Sequence, residues 1–560
     1  LKTEIEQTKV YELLSRAFVQ ERVETCFALL GDGNMKWASC LSALGTRMIY
    51  VRHEHCAVAA AMAYSRKTGN IGVATVTCGP GLTQILTALP AAVRAHIPLV
   101  IFAGEAPIKS NWYNQAIDQA PFVRAAGAVY KSLHHPELMA QEVRDAFLQA
   151  KLKKRPVILG VPLDLQNTPV NITDPLPDPS HLIAPDIKPI QPHPQEIARA
   201  AKLIKESRRI VVIAGIGAVQ SNAGESCRKF SMKCDALLAT SLPARGLFHD
   251  DPFSIGISGG YSSQVGRECL SDADLIIAVG CSLAQHNTDG GKLWPDAKVL
   301  QIDVDPIAIS QGQLVAGEHV RADARLGVEA LTVAVTERPN QWRSSALSEF
   351  IKNKPADSTP FDIEPGLHDP RNVVSALESD VPMDWELVNS SGHCSYFFAQ
   401  MPSRPVERFL TIREFGAIGN GISFAIGVAA ARPNRPVVLF DGDGSLLMHV
   451  QELETIKRHE LKILVCVLND GGYGSEIQKL RADGFPDEGA VFGRTDLAAI
   501  SQGFGLRGER VEDLSTIPEL IEEFESNGRA AVWDFPVSDR VVSPVIQRSH
   551  ASGKNLKSVF

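Results

Sequence analysis

At 560 residues the chain exceeds what a single hydrophobic core organises, and roughly two to four domains are expected. Apolar residues make up 44% and charged residues 21%, the balance of a soluble globular protein. With 56 basic and 64 acidic residues the net charge is -8, so no nucleic-acid or anionic-membrane partner is indicated, and no apolar run reaches the roughly 18 residues of a spanning helix.

The opening stretch LKTEIEQTKVYELLSRAF has the pattern of an amphipathic helix rather than a signal peptide, although the chain starts at Leu. The ten cysteines are scattered without a CxxC pair, which points to free thiols in a reducing, cytoplasmic compartment. Short β-branched runs then alternate with helical patterns: RMIYV, IGVATVT, PLVIFAG and PVILGVPL, then RIVVIAG, DLIIAVG and KVLQIDVD, and finally PVVLFDGD, KILVCVLND and AAVWDFPV. Such alternation predicts an α/β protein built of doubly wound parallel sheets covered on both faces. Two polar, proline-bearing stretches, 167–194 and 353–370, read as linkers. They divide the chain into three domains, 1–170, 190–340 and 366–540, with 541–560 as a C-terminal tail. No sequence repeat relates the first domain to the third.

A GDG tripeptide follows an apolar run twice, at Gly31–Asp32–Gly33 and at Gly442–Asp443–Gly444. After the second, Leu446, Leu447, Val450, Leu453 and Ile456 recur at helical spacing. A strand, an acidic turn and a helix start place backbone N–H groups beside a carboxylate, which suits a phosphate held through a divalent cation. The next strand, LKILVCVLND, ends in NDGGYG. Neighbouring parallel strands open onto one crevice, so Asp443 and Asp470 could both supply oxygen to a magnesium ion, with a backbone carbonyl and phosphate oxygens completing the shell. On these residues alone a plain pair of loops remains the alternative. Asp32 has no such partner strand and reads as a βα turn.

The segment GDGSLLMHVQELETIKRHELKILVCVLNDGGYG resembles the thiamine diphosphate motif, a GDG followed by an Asn pair. The resemblance extends over all three domains, as pyrimidine-binding, middle and diphosphate-binding units, and is closest to the acetolactate-synthase-like branch of decarboxylases and carboligases. It implies metal ligation by Asp443, Asp470 and the carbonyl of Gly472, with Asp470 standing where the family most often has Asn. A second carboxylate beside Asp443 adds like-charge repulsion that a metal or a proton must offset. In IYVRHEHCAVAAAMAYSRKTG, Glu54 matches the family's catalytic Glu, and Gly79–Pro80–Gly81 follows in the expected order. The family role of that Glu is to hydrogen-bond the pyrimidine N1′ of the cofactor. In REFGAIGNGIS the resemblance makes Ile418 the apolar wedge beneath the cofactor and the Gly416 carbonyl an acceptor for its amino group. Gly442, Gly444, Ser445, His393 and Tyr473 fall at diphosphate-side positions, Ser445 being either a phosphate contact or a helix cap.

Gln119 resembles the substrate-side Gln of acetolactate synthases, with Gln115 as a weaker candidate. His53 and His55, flanking Glu54, read as structural, and the pair His134–His135 as surface residues. AGIGAVQSNAG, opening the middle domain, is weak evidence for a dinucleotide. Ser282 replaces the Arg usual in FAD-binding relatives, so FAD is not expected. The resemblance implies a homodimer or homotetramer with active sites between subunits. It also implies an enzyme that decarboxylates a 2-oxo acid and passes the fragment to a carbonyl acceptor. A simple decarboxylase or acyloin lyase, or a catalytically silent cofactor-binding relative, are the alternatives. The segment after NDGGYG lacks the Trp of herbicide-sensitive acetolactate synthases, and the sequence names no specific substrate.

Overall fold

Runs such as LVIFAG and ILVCVL are apolar at successive positions, and a strand of that kind is stable only where both sheet faces are covered. In the computed structural model, which describes residues 5–173, 176–305, 316–401 and 404–551, each run is an inner strand of one of three six-stranded parallel sheets. The N-terminal sheet has the spatial order Arg47–Tyr50, Thr25–Ala28, Gly72–Val76, Leu99–Glu105, Pro156–Pro162, Val129–Ser132. The middle sheet runs Ser254–Ile257, Leu237–Thr240, Ile210–Ala214, Leu275–Val279, Lys298–Asp303, Glu318–Arg321. The C-terminal sheet runs Phe409–Thr411, Glu386–Asn389, Val437–Gly442, Ile463–Asn469, Ala531–Pro536, Arg507–Arg510. In each sheet the winding reverses beside a central strand, which opens a crevice at the carboxyl ends of the strands.

Two expectations from the sequence are revised. The opening segment is not wholly helical: Ile5–Lys9 is a strand and the helix begins at Val10. The supposed linker 167–194 carries the partner of that strand, Pro169–Thr173, paired antiparallel to it from Ile5↔Thr173 to Lys9↔Pro169. The first domain is thus closed by a two-stranded ribbon that crosses the boundary placed at 170. Neither strand announces itself, because each has five residues with polar ones interleaved, although Thr8 and Val170 are buried.

The first and third domains meet through two helices. Glu54–Thr68 is alanine-rich, and its residues from His55 to Ser65 are all buried. Gly421–Ala431 is apolar all round and buried from Gly421 to Ala430, as a helix covered on every side must be. A Cβ on Gly427 would lie 2.1 Å from the Ala60 carbonyl oxygen, so only glycine allows this approach. The helices run parallel. At their starts His55 Nε2 meets Asn420 Oδ1 at 2.5 Å, and at their ends Arg432 Nη2 donates to the Lys67 carbonyl at 2.7 Å. Beside that end Lys67 Nζ is paired with the buried Glu386 at 2.6 Å, and Arg408 adds a second donor to Glu386 at 3.1 Å. One hydrophobic core consequently runs through both domains, from Phe27 and Ile101 to Val437 and Val465. Among the described residues no helix is long and apolar enough to cross a membrane.

Candidate functional site

The reversal point of the C-terminal sheet lies between the strands Glu386–Asn389 and Val437–Gly442, and a cleft opens there. Gly442, extended at φ -103°, turns the chain into the helix Asp443–Met448. The NDGGYG loop packs directly against this turn. A Cβ on Gly444 would lie 2.8 Å from the Tyr473 ring and 3.4 Å from the Gly472 carbonyl oxygen, while one on Gly474 would lie 2.3 Å from Asp470 Oδ2. Asp443 Oδ2 accepts the Gly471 N–H at 3.0 Å, which ties the two loops together. Asp443, Asp470 and the Gly472 carbonyl therefore converge on one side of the cleft.

Burial pushes the Asp443 carboxyl up to about 6. Asp470 is pushed well above the usual carboxylate range, first by burial and then by the charge of Asp443, to which it is hydrogen-bonded. Two buried carboxyls at this separation hold a proton between them unless a cation replaces it. A donor set made only of oxygens, two of them anionic, matches a hard divalent cation.

Ile418, Gly442, Ser445, His393 and Tyr473 line the same cleft. Ser445 is not the helix cap: its hydroxyl accepts the Gly419 N–H at 2.9 Å and lies 3.1 Å from Ser390 Oγ, so it fastens the 416–420 loop to the GDG turn. His393 Nε2 accepts the Ser543 N–H at 3.1 Å, and burial lowers its ring to about 4, which keeps it neutral. Asn469 points the other way, donating to Thr495 and to Asp534 Oδ1, both at 2.9 Å. The strand's period of two thus selects Asp470 for the cleft. Ser391, two residues before His393, also lines the cleft, as do Ser538 and Val541, which belong to no motif and have no local signal. The segment assigned to a tail from 541 onward in fact reaches back to His393.

The remaining candidates lie outside this lining. Glu54 starts its helix at half burial, with Oε1 3.5 Å from where a Gly81 Cβ would stand, and burial raises its carboxyl. Gly79 at φ +61° makes the turn that brings Gly81 there. Gln119 is buried with its amide fully engaged: Oε1 accepts the Gly79 N–H at 2.9 Å, and Nε2 donates to the Gly104 carbonyl at 3.0 Å and to Tyr130 Oη at 2.8 Å. Gly416 is exposed at φ +72°. His134 and His135 are exposed, and the Gly31–Gly33 turn is held by Asn34 and Thr77 within its own domain.

Three family models match in the order of the three sheets. Residues 8–122 match the N-terminal thiamine pyrophosphate (TPP) binding domain of thiamine pyrophosphate enzymes, 197–331 their central domain and 390–535 their C-terminal TPP binding domain. The chain is a thiamine pyrophosphate enzyme. Within that family it falls on the acetolactate-synthase-like branch. It is 26% identical to the probable acetolactate synthase large subunit of Methanocaldococcus jannaschii over 560 residues, covering 96% of this chain and 93% of that protein. It is 28% identical to the acetolactate synthase large subunit of Corynebacterium glutamicum over 532 residues, covering 90% and 83%. With the chloroplastic acetolactate synthase 1 of Nicotiana tabacum it shares 28% over 496 residues, 84% and 72% of the two chains. In this thiamine pyrophosphate enzyme Asp443, Asp470 and Gly472 fall inside the match to the C-terminal TPP binding domain, and Glu54 inside the match to the N-terminal one.

Proposed function

We propose that this chain is a magnesium- and thiamine diphosphate-dependent enzyme that decarboxylates a 2-oxo acid and transfers the remaining fragment to a second carbonyl compound, in the manner of an acetolactate synthase. The observation that carries this reading is the convergence of Asp443, Asp470 and the Gly472 carbonyl on one cleft, where glycines at 444 and 474 let the GDG turn and the NDGGYG loop pack against each other. When bound, the cofactor supplies the electron sink that carbon dioxide loss requires. Asp443, Asp470 and Gly472 would hold the magnesium ion, Ser445 fastens the 416–420 loop beside them, and Gly442, Gly444, His393 and Tyr473 would shape the diphosphate cradle. Ile418, which lines the cleft, would pack against the cofactor's rings, and the Gly416 carbonyl would accept an N–H from its pyrimidine. Glu54, its carboxyl raised by burial, would hold a proton for sharing with a ring nitrogen of the cofactor. Gln119 keeps the Gly79–Gly81 turn in place beneath Glu54.

The cleft is lined by the C-terminal domain alone while Glu54 lies outside it, which supports a homodimer or homotetramer with each site completed by a second copy. A middle domain working without FAD is supported by its own crevice, where the Gly217 N–H donates to the Gly280 carbonyl at 3.0 Å and the two loops occupy each other's space. The free thiols fit a cytoplasmic enzyme. Glu54→Gln tests the central role: turnover of pyruvate is expected to fall by roughly 10²–10⁴-fold, the usual contribution of a positioned acid–base group, with magnesium-dependent cofactor binding retained. Unchanged turnover would remove Glu54 from the reaction.

A further inference from the structure

The seam between the first and third domains contains a set of donors that the proposed reaction does not use. His53 precedes the Glu54–Thr68 helix, Cys56 lies in its first turn, and His449 follows the Asp443–Met448 helix of the other domain. One ligand atom from each, two imidazole nitrogens and a thiol sulfur, lie within 4.8 Å of one another. We propose that His53, Cys56 and His449 form a second metal site, selective for zinc or a similar borderline transition ion.

Donor chemistry sorts this site from the magnesium site. Two nitrogens and a sulfur suit zinc, whereas magnesium requires oxygen and is served by Asp443, Asp470 and Gly472. Zinc bond lengths of about 2.0–2.1 Å to nitrogen and about 2.3 Å to sulfur place tetrahedral N–N and N–S pairs about 3.3 and 3.5 Å apart, so the three side chains must close by up to about 1.5 Å. His449 is prepared for ligation: its Nδ1–H donates to the Gly419 carbonyl at 2.9 Å, which leaves the Nε2 lone pair free and fixes the ring as an outer-shell partner does. Its ring is further held by stacking on His55 at 5.1 Å. His53 now accepts the His55 N–H at 3.1 Å and would surrender that bond or turn its other nitrogen inward. Cys56 is fully buried, and its thiol is hydrogen-bonded to Glu452 and Ser423. On ligation the S–H bond breaks, an S–Zn bond forms and the proton passes to Glu452, so no redox partner is needed. Three protein ligands leave a fourth position open to water. A bound ion would staple the helix that begins with Glu54 to the loop that carries Gly419 and Ile418, a metal-dependent restraint on both halves of the catalytic arrangement.

Cobalt(II) is the probe, because a thiolate–cobalt bond has a near-ultraviolet charge-transfer band and a tetrahedral site has intense visible bands. The intact protein, stripped with chelator and held in excess magnesium, is expected to develop both bands with one equivalent of cobalt per chain and to lose them when zinc is added. Cys56→Ser should abolish the charge-transfer band, and His449→Asn should weaken binding at least tenfold. Circular dichroism confirms that each variant is folded, and if Cys56→Ser does not fold, the His449→Asn titration decides. Absence of the bands together with no magnesium-resistant zinc by elemental analysis would overturn the proposal. So would bands undiminished in Cys56→Ser or affinity unchanged in His449→Asn. The test does not depend on turnover, so its failure is separate from failure of the decarboxylase reading.

Discussion

Asp470 concentrates the electrostatic tension of the site in one side chain. Half-buried beside Asp443, it repels that carboxylate, and its proton would compete with the proposed metal. Replacing it by Asn removes the charge and keeps an oxygen ligand, so Asp470→Asn is expected to bind thiamine diphosphate with magnesium at least as tightly as the parent in a calorimetric titration. A large loss of affinity would show that the second carboxylate is required. The same pair sets a pH dependence. Asp443 is raised from about 3.9 in an unfolded chain to about 6 in the fold, and Asp470 further. A carboxyl raised in this way favours the protonated native state, so the metal-free protein gains stability below the unfolded value and loses it as pH rises through the folded one. Magnesium binding would displace protons from the pair, so cofactor affinity should increase as pH rises through about 6, where Asp443 ionises, and go on increasing above it while Asp470 still holds a proton. Affinity independent of pH across that range would mean that no proton is displaced.

Among secondary-structure elements, the pair Glu54–Thr68 and Gly421–Ala431 joins Glu54, the proposed catalytic acid, to the 416–420 loop proposed to meet the cofactor. Gly427 is what lets these helices touch. Gly427→Val would drive a side chain into the Ala60 carbonyl, and a destabilisation of at least about 1–3 kcal/mol, the usual cost of overpacking, is expected in thermal or denaturant unfolding. An unchanged Tm would mean that the contact is looser than the geometry indicates. The inner strands were legible in the sequence because their apolar runs leave no other stable placement. Asp443 and Asp470 were legible because each ends such a run. The Ile5–Lys9 and Pro169–Thr173 ribbon was not, because its pairing depends on residues far apart in the chain with no apolar signature. Ser538 and Val541 were missed for the same reason, being brought to the cleft by folding rather than by any local pattern. His449 and Cys56 lie in quoted segments, but nothing in either segment predicts that they meet.

At the scale of the whole molecule, the proposed reaction requires Glu54 at the cleft, and large apolar side chains stand uncovered, among them Trp112 at 76% and Phe485 at 63% exposure. A symmetric assembly would bury such surface and bring Glu54 of one copy to the cleft of another. Mixing the inactive variants Glu54→Gln and Asp443→Ala under conditions that exchange subunits should then restore roughly a quarter of parental activity, the share of intact sites in a randomly mixed dimer. No recovery would place both halves of the site in one chain. The most direct measurement of the account as a whole is mass spectrometry of the products formed from pairs of a 2-oxo acid and an aldehyde or second 2-oxo acid, with and without thiamine diphosphate and magnesium. The account predicts carbon dioxide and a ligated hydroxyketone product, both only when cofactor and metal are present. Binding of the cofactor without any product across the panel would contradict it.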